Sequence, residues 1–226
     1  MIASFFWLAC TIAVYLLSKK LYRLYPKIYL TPLIVTPVLL IAAILLFKVP
    51  YSSYEGGAGL LSDLVGPATI ALAVTLYKHV SEMKRNAGAI LVSVCLGAVA
   101  AIVTTVSLSR LFGLSTSIVD SLAPRSATTP IAMSISSRIG GLPTITAVAT
   151  LVTGVMSMIM GPLVVKAFRI RSPLARGVLF GTSSHSSGVS KALEYDDATG
   201  SIAAIAMMVT AFVTLFATPW VTSWFL

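Results

Sequence analysis

The stretch VDSLAPRSATTPIAMSISSRIGG, from Val119 to Gly141, decides how this chain folds, because it interrupts a series of long apolar runs. It contains Arg125, two prolines and a run of hydroxyl side chains. A charge and unsatisfied backbone groups are costly in lipid, so such a segment in a membrane protein lies buried in protein or lines a cavity. We therefore expect a ligand site here.

The composition is that of an integral membrane protein. Of the 226 residues, 57% are hydrophobic and 10% are charged, whereas soluble domains carry about 25% charged residues. The mean hydropathy is +0.95. The net charge of +9 comes from Lys and Arg in short loops between apolar runs, as the positive-inside rule predicts, so it indicates a lipid bilayer and no nucleic acid as partner. The two cysteines lie in apolar runs, without disulfide or metal-ligand spacing.

The apolar runs predict an all-α membrane fold with about seven or eight hydrophobic segments. These lie at about 2–17, 30–47, 60–77, 87–108, 119–141, 144–165, 173–193 and 202–224. Basic residues follow the first run and do not precede it, so we expect a retained span and not a cleaved signal. The polar stretch 51–59 is expected to be a loop.

Loop charges favour re-entry of segment 119–141 over a full crossing. The Lys and Arg cluster after the first span is expected on the cytoplasmic side. If segment 119–141 re-enters and returns to the outer side, the four cations from Lys166 to Arg176 also face the cytoplasm. The larger charge bias of this topology is the reason to prefer it.

Two half-helices are expected inside the re-entrant segment. Asp120 is predicted to cap the first, and Pro124 to break it. Thr129 is predicted to cap the second, with Pro130 as its first helical residue.

Two further segments are interrupted, and their positions predict an inverted repeat. Gly66 and Pro67 interrupt one segment, and Gly181 interrupts another, 115 positions after Gly66. Broken helices at matching positions of inverted halves are typical of transporter sites near the membrane midplane. We expect one transmembrane domain, residues 1–226, of elevator type. Its halves are about 28–112 and 142–226, joined by 113–141.

Arg125 is the leading candidate for binding an anion. A guanidinium binds a carboxylate with two parallel hydrogen bonds, and a helix N-terminus adds a favourable dipole. The alternatives are that Arg125 reaches the membrane interface or pairs with Asp120 or Asp63. The neighbours expected to share its substrate site are Ser126, Thr128, Thr129 and Pro130.

His185 lies in a second polar interruption, GTSSHSSG. It can donate a hydrogen bond to a carboxylate or accept a proton coupled to transport. Equally, it can be a neutral histidine that stabilises an unwound helix. The residues predicted to bind substrate with it are Ser184, Ser186 and Gly188.

Asp63 is an acid well inside an apolar segment. It is a candidate for a coupling cation or proton, although an ion pair with Arg125 is slightly favoured. Ser, His and Asp are all present, but no nucleophile elbow or zinc-protease motif occurs. We therefore expect no enzymatic activity.

The strings APRSATTPIAM, IGGLPTITAV, ARGVLFGTSSHSSG and SIAAIAM resemble the LrgB/CidB family of bacterial membrane proteins. The family patterns are similar to P-K-S-x-T-T-P-I-A and G-x-x-S-H-x-x-G-T. Two departures are that Arg125 stands where Lys is usual, and Val189 where Thr is common. They bear on substrate preference and not on membership.

The resemblance implies one of two functions in a bacterial cytoplasmic membrane. Some members are described as antiholin-like regulators of murein hydrolase activity and lysis, acting with a small LrgA/CidA-type membrane partner. Related proteins carry glycolate, glycerate or pyruvate. The buried cation favours a secondary transporter of small monocarboxylates such as glycolate, glycerate, lactate or pyruvate, coupled to H⁺ or Na⁺. It is expected to act as a homodimer, with no cofactor.

Overall fold

The structure, a computed structural model, describes residues 2–25, 28–64, 67, 70, 77 and 80–225. These residues are helical or lie in turns, and none of them forms a β-strand. The expected all-α membrane fold is confirmed. The chain is divided into two compact units, Met1–Ala71 and Leu72–Leu226.

The first unit contains three α-helices whose bounds the described residues give. α1 is Ile2–Leu24, α2 is Pro32–Leu46 and α3 is Tyr51–Asp63, with a 3-10 turn at Ile28–Leu30 before α2. Thr31 caps the start of α2, because its hydroxyl accepts a hydrogen bond from the backbone N–H of Leu33. The next residue, Pro32, is the first helical residue, a position that favours proline. α1 packs against α2 and α3.

One expectation for the first unit was wrong, and a second is only partly covered by the described residues. The stretch 51–59, predicted as a loop because it is polar, forms most of α3. The predicted segment 60–77 contributes only its first residues to that helix, which ends at Asp63. The predicted break at Gly66 lies outside the described residues, whereas Pro67 is helical and exposed.

The second unit contains six α-helices among its described residues. They are α4 (Val80–Leu111), α5 (Thr116–Leu122), α6 (Thr129–Ile139), α7 (Pro143–Ala167), α8 (Pro173–Leu193) and α9 (Asp197–Trp224). α9 contacts α4, α6 and α8, and α8 also contacts α4 and α7. α9 is therefore the helix against which α4, α6 and α8 pack.

Four described helices are long and apolar enough to cross a membrane: Phe5–Leu24, Lys84–Leu111, Pro143–Ala167 and Asp197–Trp224. α2 is apolar but shorter. By contrast, α5 has 7 residues and α6 has 11, which gives lengths of about 10 and 16 Å at 1.5 Å per residue. Neither can cross a hydrocarbon core of about 30 Å, so segment 119–141 consists of two half-helices.

The ends of these half-helices differ from the predicted ones. Asp120 does not cap α5, because it lies in the middle of that helix and Ser115 precedes the first turn. The residue before α6 is Thr128 and not Thr129, so Pro130 is the second helical residue. Gly140 ends α6 with φ +94°, a left-handed conformation that glycine adopts without strain. That the pair re-enters the membrane, and that the chain is an inverted repeat, stay predictions.

Candidate functional site

α8 is broken at Ser184 and His185. Their backbone angles are φ −147°, ψ 17° and φ 42°, ψ −137°, so two helical pieces meet here. The predicted interruption of this helix is confirmed. Its position is corrected, because Gly181 lies within the first helical piece. Both Ser184 and His185 are buried, at 0% and 5% exposure. A left-handed conformation at a residue other than glycine is strained, and such strain is concentrated at functional sites.

The imidazole of His185 is held against α7. Its Nε2–H donates to the carbonyl of Thr150 at 2.9 Å, which leaves Nδ1 as the acceptor of the neutral ring, 3.4 Å from the hydroxyl of Ser186. Gly154 makes room for the ring, because a Cβ there would lie 3.0 Å from His185 Cε1. The hydrogen bond to Thr150 and the space left by Gly154 together fix the orientation of the His185 ring.

Three serine hydroxyls meet beside the break. Ser157 of α7 lies 3.2 Å from the hydroxyl of Ser183 and in very close contact with that of Ser184. Ser183 and Ser184 are themselves 2.6 Å apart. This cluster joins the broken part of α8 to α7 through polar groups that can also bind a ligand.

Arg125 lies between α5 and α6, and its side chain reaches two other helices. Nε donates to Thr105 of α4 at 3.1 Å, and Nη1 donates to Thr153 of α7 at 3.2 Å. Each of these hydroxyls donates its own hydrogen bond to a backbone carbonyl of its helix, Thr105 to that of Ala101 and Thr153 to that of Ala149. Among the described residues of the second unit, no carboxylate lies within ion-pair distance of this guanidinium.

α7 carries the partners of both broken segments. Thr150 binds His185, Thr153 binds Arg125, and Ser157 binds the serines of α8. The sequence interpretation treated this helix as an ordinary span and missed all three. For the hydroxyls of Thr153 and Ser157, the available signal is their spacing by four residues, whereas the contact of His185 with the backbone carbonyl of Thr150 leaves no signal in the sequence.

A cavity of about 610 Å³ lies along α7, between Arg125 and the serine cluster. Its polar lining residues are Arg125, Thr153, Ser157 and Ser183, and the other residues of its wall are mainly aliphatic. It therefore offers one positive charge and three hydroxyls in an otherwise apolar space. Small-molecule sites have this character, with a few polar groups in an apolar wall.

The structure does not bring all of the predicted site residues to this cavity. Ser126 is buried, and the buried hydroxyl oxygen of Thr128 has no described hydrogen-bond partner. Thr129 is half-buried, and Pro130 lines a separate cavity of about 300 Å³ with Arg138. Consequently, Arg125 lines this cavity and the start of α6 does not.

On α8, Leu179 and Ser183 line the cavity, whereas Ser184, His185 and Ser186 do not. Gly188 serves close packing, since a Cβ there would overlap the carbonyl oxygen of Phe180.

Asp63 is exposed at the end of α3, in the other compact unit. Its roles as an ion-pair partner of Arg125 or as a coupling site stay predictions.

Comparison with known proteins identifies the family. The model of the LrgB-like family matches residues 11–224. The chain is 45% identical over 213 residues to the uncharacterized protein YwbG of Bacillus subtilis, covering 94% of this chain and 95% of the relative. It is 36% identical to YxaC of the same organism, covering 89% and 87%.

A further relative, antiholin-like protein LrgB of Bacillus mycoides, is 35% identical over 84% of this chain and 82% of its own length. None of the three names describes an enzyme. No solved structure matches the chain. With the family model spanning nearly all of a helical, apolar chain, this protein belongs to the LrgB-like family of membrane proteins.

Proposed function

We propose that this protein carries small monocarboxylates across the membrane and binds them at Arg125. The supporting observation is the guanidinium, which lines the cavity while its described partners are two neutral hydroxyls. A charge inside a membrane segment costs about 2.5–3.5 kcal/mol or more when uncompensated. A bound carboxylate would offset that cost and accept charge-assisted hydrogen bonds.

The remaining lining suits the rest of such a ligand. Thr153, Ser157 and Ser183 offer hydroxyls to the hydroxyl or carbonyl group of glycolate, glycerate, lactate or pyruvate, and the aliphatic wall accepts its carbon chain. Transport would proceed by alternating access, with H⁺ or Na⁺ as the coupling ion and His185 or Asp63 as the coupling candidates. The protein would act as a homodimer in a bacterial cytoplasmic membrane.

Uptake into liposomes tests this proposal. The purified chain should take up labelled glycolate or lactate, and Arg125→Ala should reduce uptake at least about tenfold, since a hydrogen bond to a charged group contributes ~1.5–3 kcal/mol. Arg138→Ala is the matched control, because Arg138 lies on the neighbouring α6 and lines a different cavity. Uptake that survives Arg125→Ala would rule out this site.

The second candidate is an antiholin-like regulator of murein hydrolase activity and lysis that works with a small LrgA/CidA-type membrane partner. The observation that favours it is the name of the relatives in Bacillus mycoides and Bacillus cereus, which are 35% and 34% identical to this chain. At the level of family, these names support it more directly than they support a carrier. It predicts unselective permeability that depends on the partner. Saturable, stereoselective uptake by this chain alone would argue against it.

A further inference from the structure

A second cavity, of about 540 Å³, lies between α4 and α8. One wall is a series of small residues on α4, and the opposite wall is the first helical piece of α8. The α4 residues are Ala89, Ser93, Gly97 and Ala101. Small residues at this spacing commonly let another helix approach closely. Instead, part of the space that these small residues leave open remains empty.

The two cavities share part of their walls. Leu179 and Ser183 line both the cavity along α7 and the cavity along α4. These residues are one helical turn apart, and the hydroxyl of Ser183 donates to the carbonyl of Leu179 at 2.7 Å. The break in α8 begins at the next residue, Ser184. The wall between the cavities is therefore a short piece of helix that ends at an interruption.

Thr182 places a hydroxyl without a described partner beside the second cavity. The residue lines that cavity and is 8% exposed, and its hydroxyl oxygen is buried and has no hydrogen-bond partner among the described residues. Its methyl group faces α4, since Cγ2 lies 3.0 Å from where a Cβ of Gly97 would be. A buried hydroxyl without a partner is costly, and rotation of this side chain about χ1 would let a polar ligand in the cavity satisfy it.

Arg125 lies close to the second cavity as well as the first. Its Nε donates to Thr105, which donates in turn to the carbonyl of Ala101. Ala101 lines the second cavity, one helical turn from Thr105. Arg125 therefore lines the first cavity directly. Its hydrogen-bond partner Thr105 lies one turn of α4 from Ala101, which lines the second cavity.

We propose that the cavity along α4 is a second binding position for the same small carboxylates, and that the two cavities form one path past Arg125. Leu179 and Ser183 form the wall that a ligand passes, and the hydroxyls of Ser93 and Thr182 receive it on the far side. This inference rests on the proposed transport. Beyond transport itself, it assigns a second binding site, a route between the two sites, and Leu179 as a residue of the barrier between them.

Blocking the second cavity after the protein has folded tests the inference. In a background with Cys10→Ser and Cys95→Ser, the Ala101→Cys variant is reconstituted and labelled with benzyl methanethiosulfonate, since Ala101 lines this cavity and offers it no polar side chain. The matched control is Gly88→Cys on the same helix, because a side chain at Gly88 meets nothing within 4 Å. If the unlabelled Ala101→Cys variant is inactive, Ala175→Cys on α8 replaces it, since Ala175 lines the same cavity.

Uptake of isotope-labelled lactate should fall by about tenfold or more when the thiol of the Ala101→Cys variant is labelled, and should return when dithiothreitol removes the thiol label. The thermal stabilisation that lactate gives should persist, because the cavity beside Arg125 stays open. Full uptake by the labelled variant would overturn the inference, as would an equal loss in the Gly88→Cys control. Absence of both uptake and thermal stabilisation in the unlabelled background would instead overturn the proposed transport, and this inference with it.

Discussion

Replacing Gly154 with alanine should push His185 away from α7. The added Cβ would lie 3.0 Å from His185 Cε1, 3.1 Å from Nε2 and 2.7 Å from the hydroxyl oxygen of Ser187. These separations are shorter than the 3.5–4.0 Å optimum between carbon atoms. The ring has little room to retreat, because it is 5% exposed and its Nε2–H is bonded to the carbonyl of Thr150.

The expected loss in the free energy of unfolding is about 2 kcal/mol. Overpacking a close-packed site costs ~1–3 kcal/mol, and losing the hydrogen bond to Thr150 adds ~0.5–1.5 kcal/mol. Alanine is a better helix former than glycine and returns ~0.5–1 kcal/mol. The unfavourable contacts therefore outweigh the gain in helix propensity.

Titration of mixed micelles with a denaturing detergent, followed by circular dichroism, measures this difference. Gly88→Ala is the matched control, because it brings the same gain in propensity and its Cβ meets nothing within 4 Å. The control should be as stable as the wild type or slightly more stable. Equal stability of Gly154→Ala and Gly88→Ala would refute the placement of His185 against Gly154.

Two further changes, followed by the same unfolding measurement, test the packing of α8 against α9 and the cap at the start of α9. Gly181→Ala should cost ~1–3 kcal/mol or more, because its Cβ would overlap the carbonyl oxygen of Ala203, a backbone atom that cannot rotate away; wild-type stability would contradict the close approach of the two helices. Asp196→Ala should destabilise α9, because Asp196 accepts hydrogen bonds from the backbone N–H of Thr199 at 2.7 Å and from its hydroxyl at 2.8 Å. These bonds lower the pKa of Asp196, so its contribution is present above the pKa of the unfolded carboxyl and is lost as the pH falls through the folded value. The gap between wild type and variant should therefore close in acid, and a constant gap would contradict this cause.

Hydropathy and helix-breaking residues predict much of this fold. α8 has the expected bounds, Pro173–Leu193, and α7 extends only slightly beyond 144–165. These helices are apolar runs bounded by prolines and cations, which are strong local signals. α3 was missed because composition alone does not distinguish a polar helix from a polar loop. Its sequence, YSSYEGGAGLLSD, has three glycines and no long apolar run.

The candidate site was predictable in its segments but not in its contacts. Arg125 and the break beside His185 stand out because charge and interruption are rare in apolar runs. Their partners do not: a threonine such as Thr105 or Thr153 in a membrane helix commonly bonds the carbonyl four residues before it, and Thr150 contributes only its backbone carbonyl. Whether such a hydroxyl also accepts from another segment depends on how the helices pack, and sequence spacing does not determine that.

The shared use of α7 has a thermodynamic consequence. Thr150 and Thr153 are one turn apart, about 4.5 Å along the axis, so a displacement of α7 would move the acceptors of His185 and Arg125 by the same distance. Coupling of this kind is reciprocal: any factor by which protonation of His185 changes the affinity for an anion at Arg125 is also the factor by which the anion changes the affinity of His185 for a proton. A single rigid helix is thus sufficient to exchange free energy between a proton and an anion, without direct contact between the imidazole and the ligand.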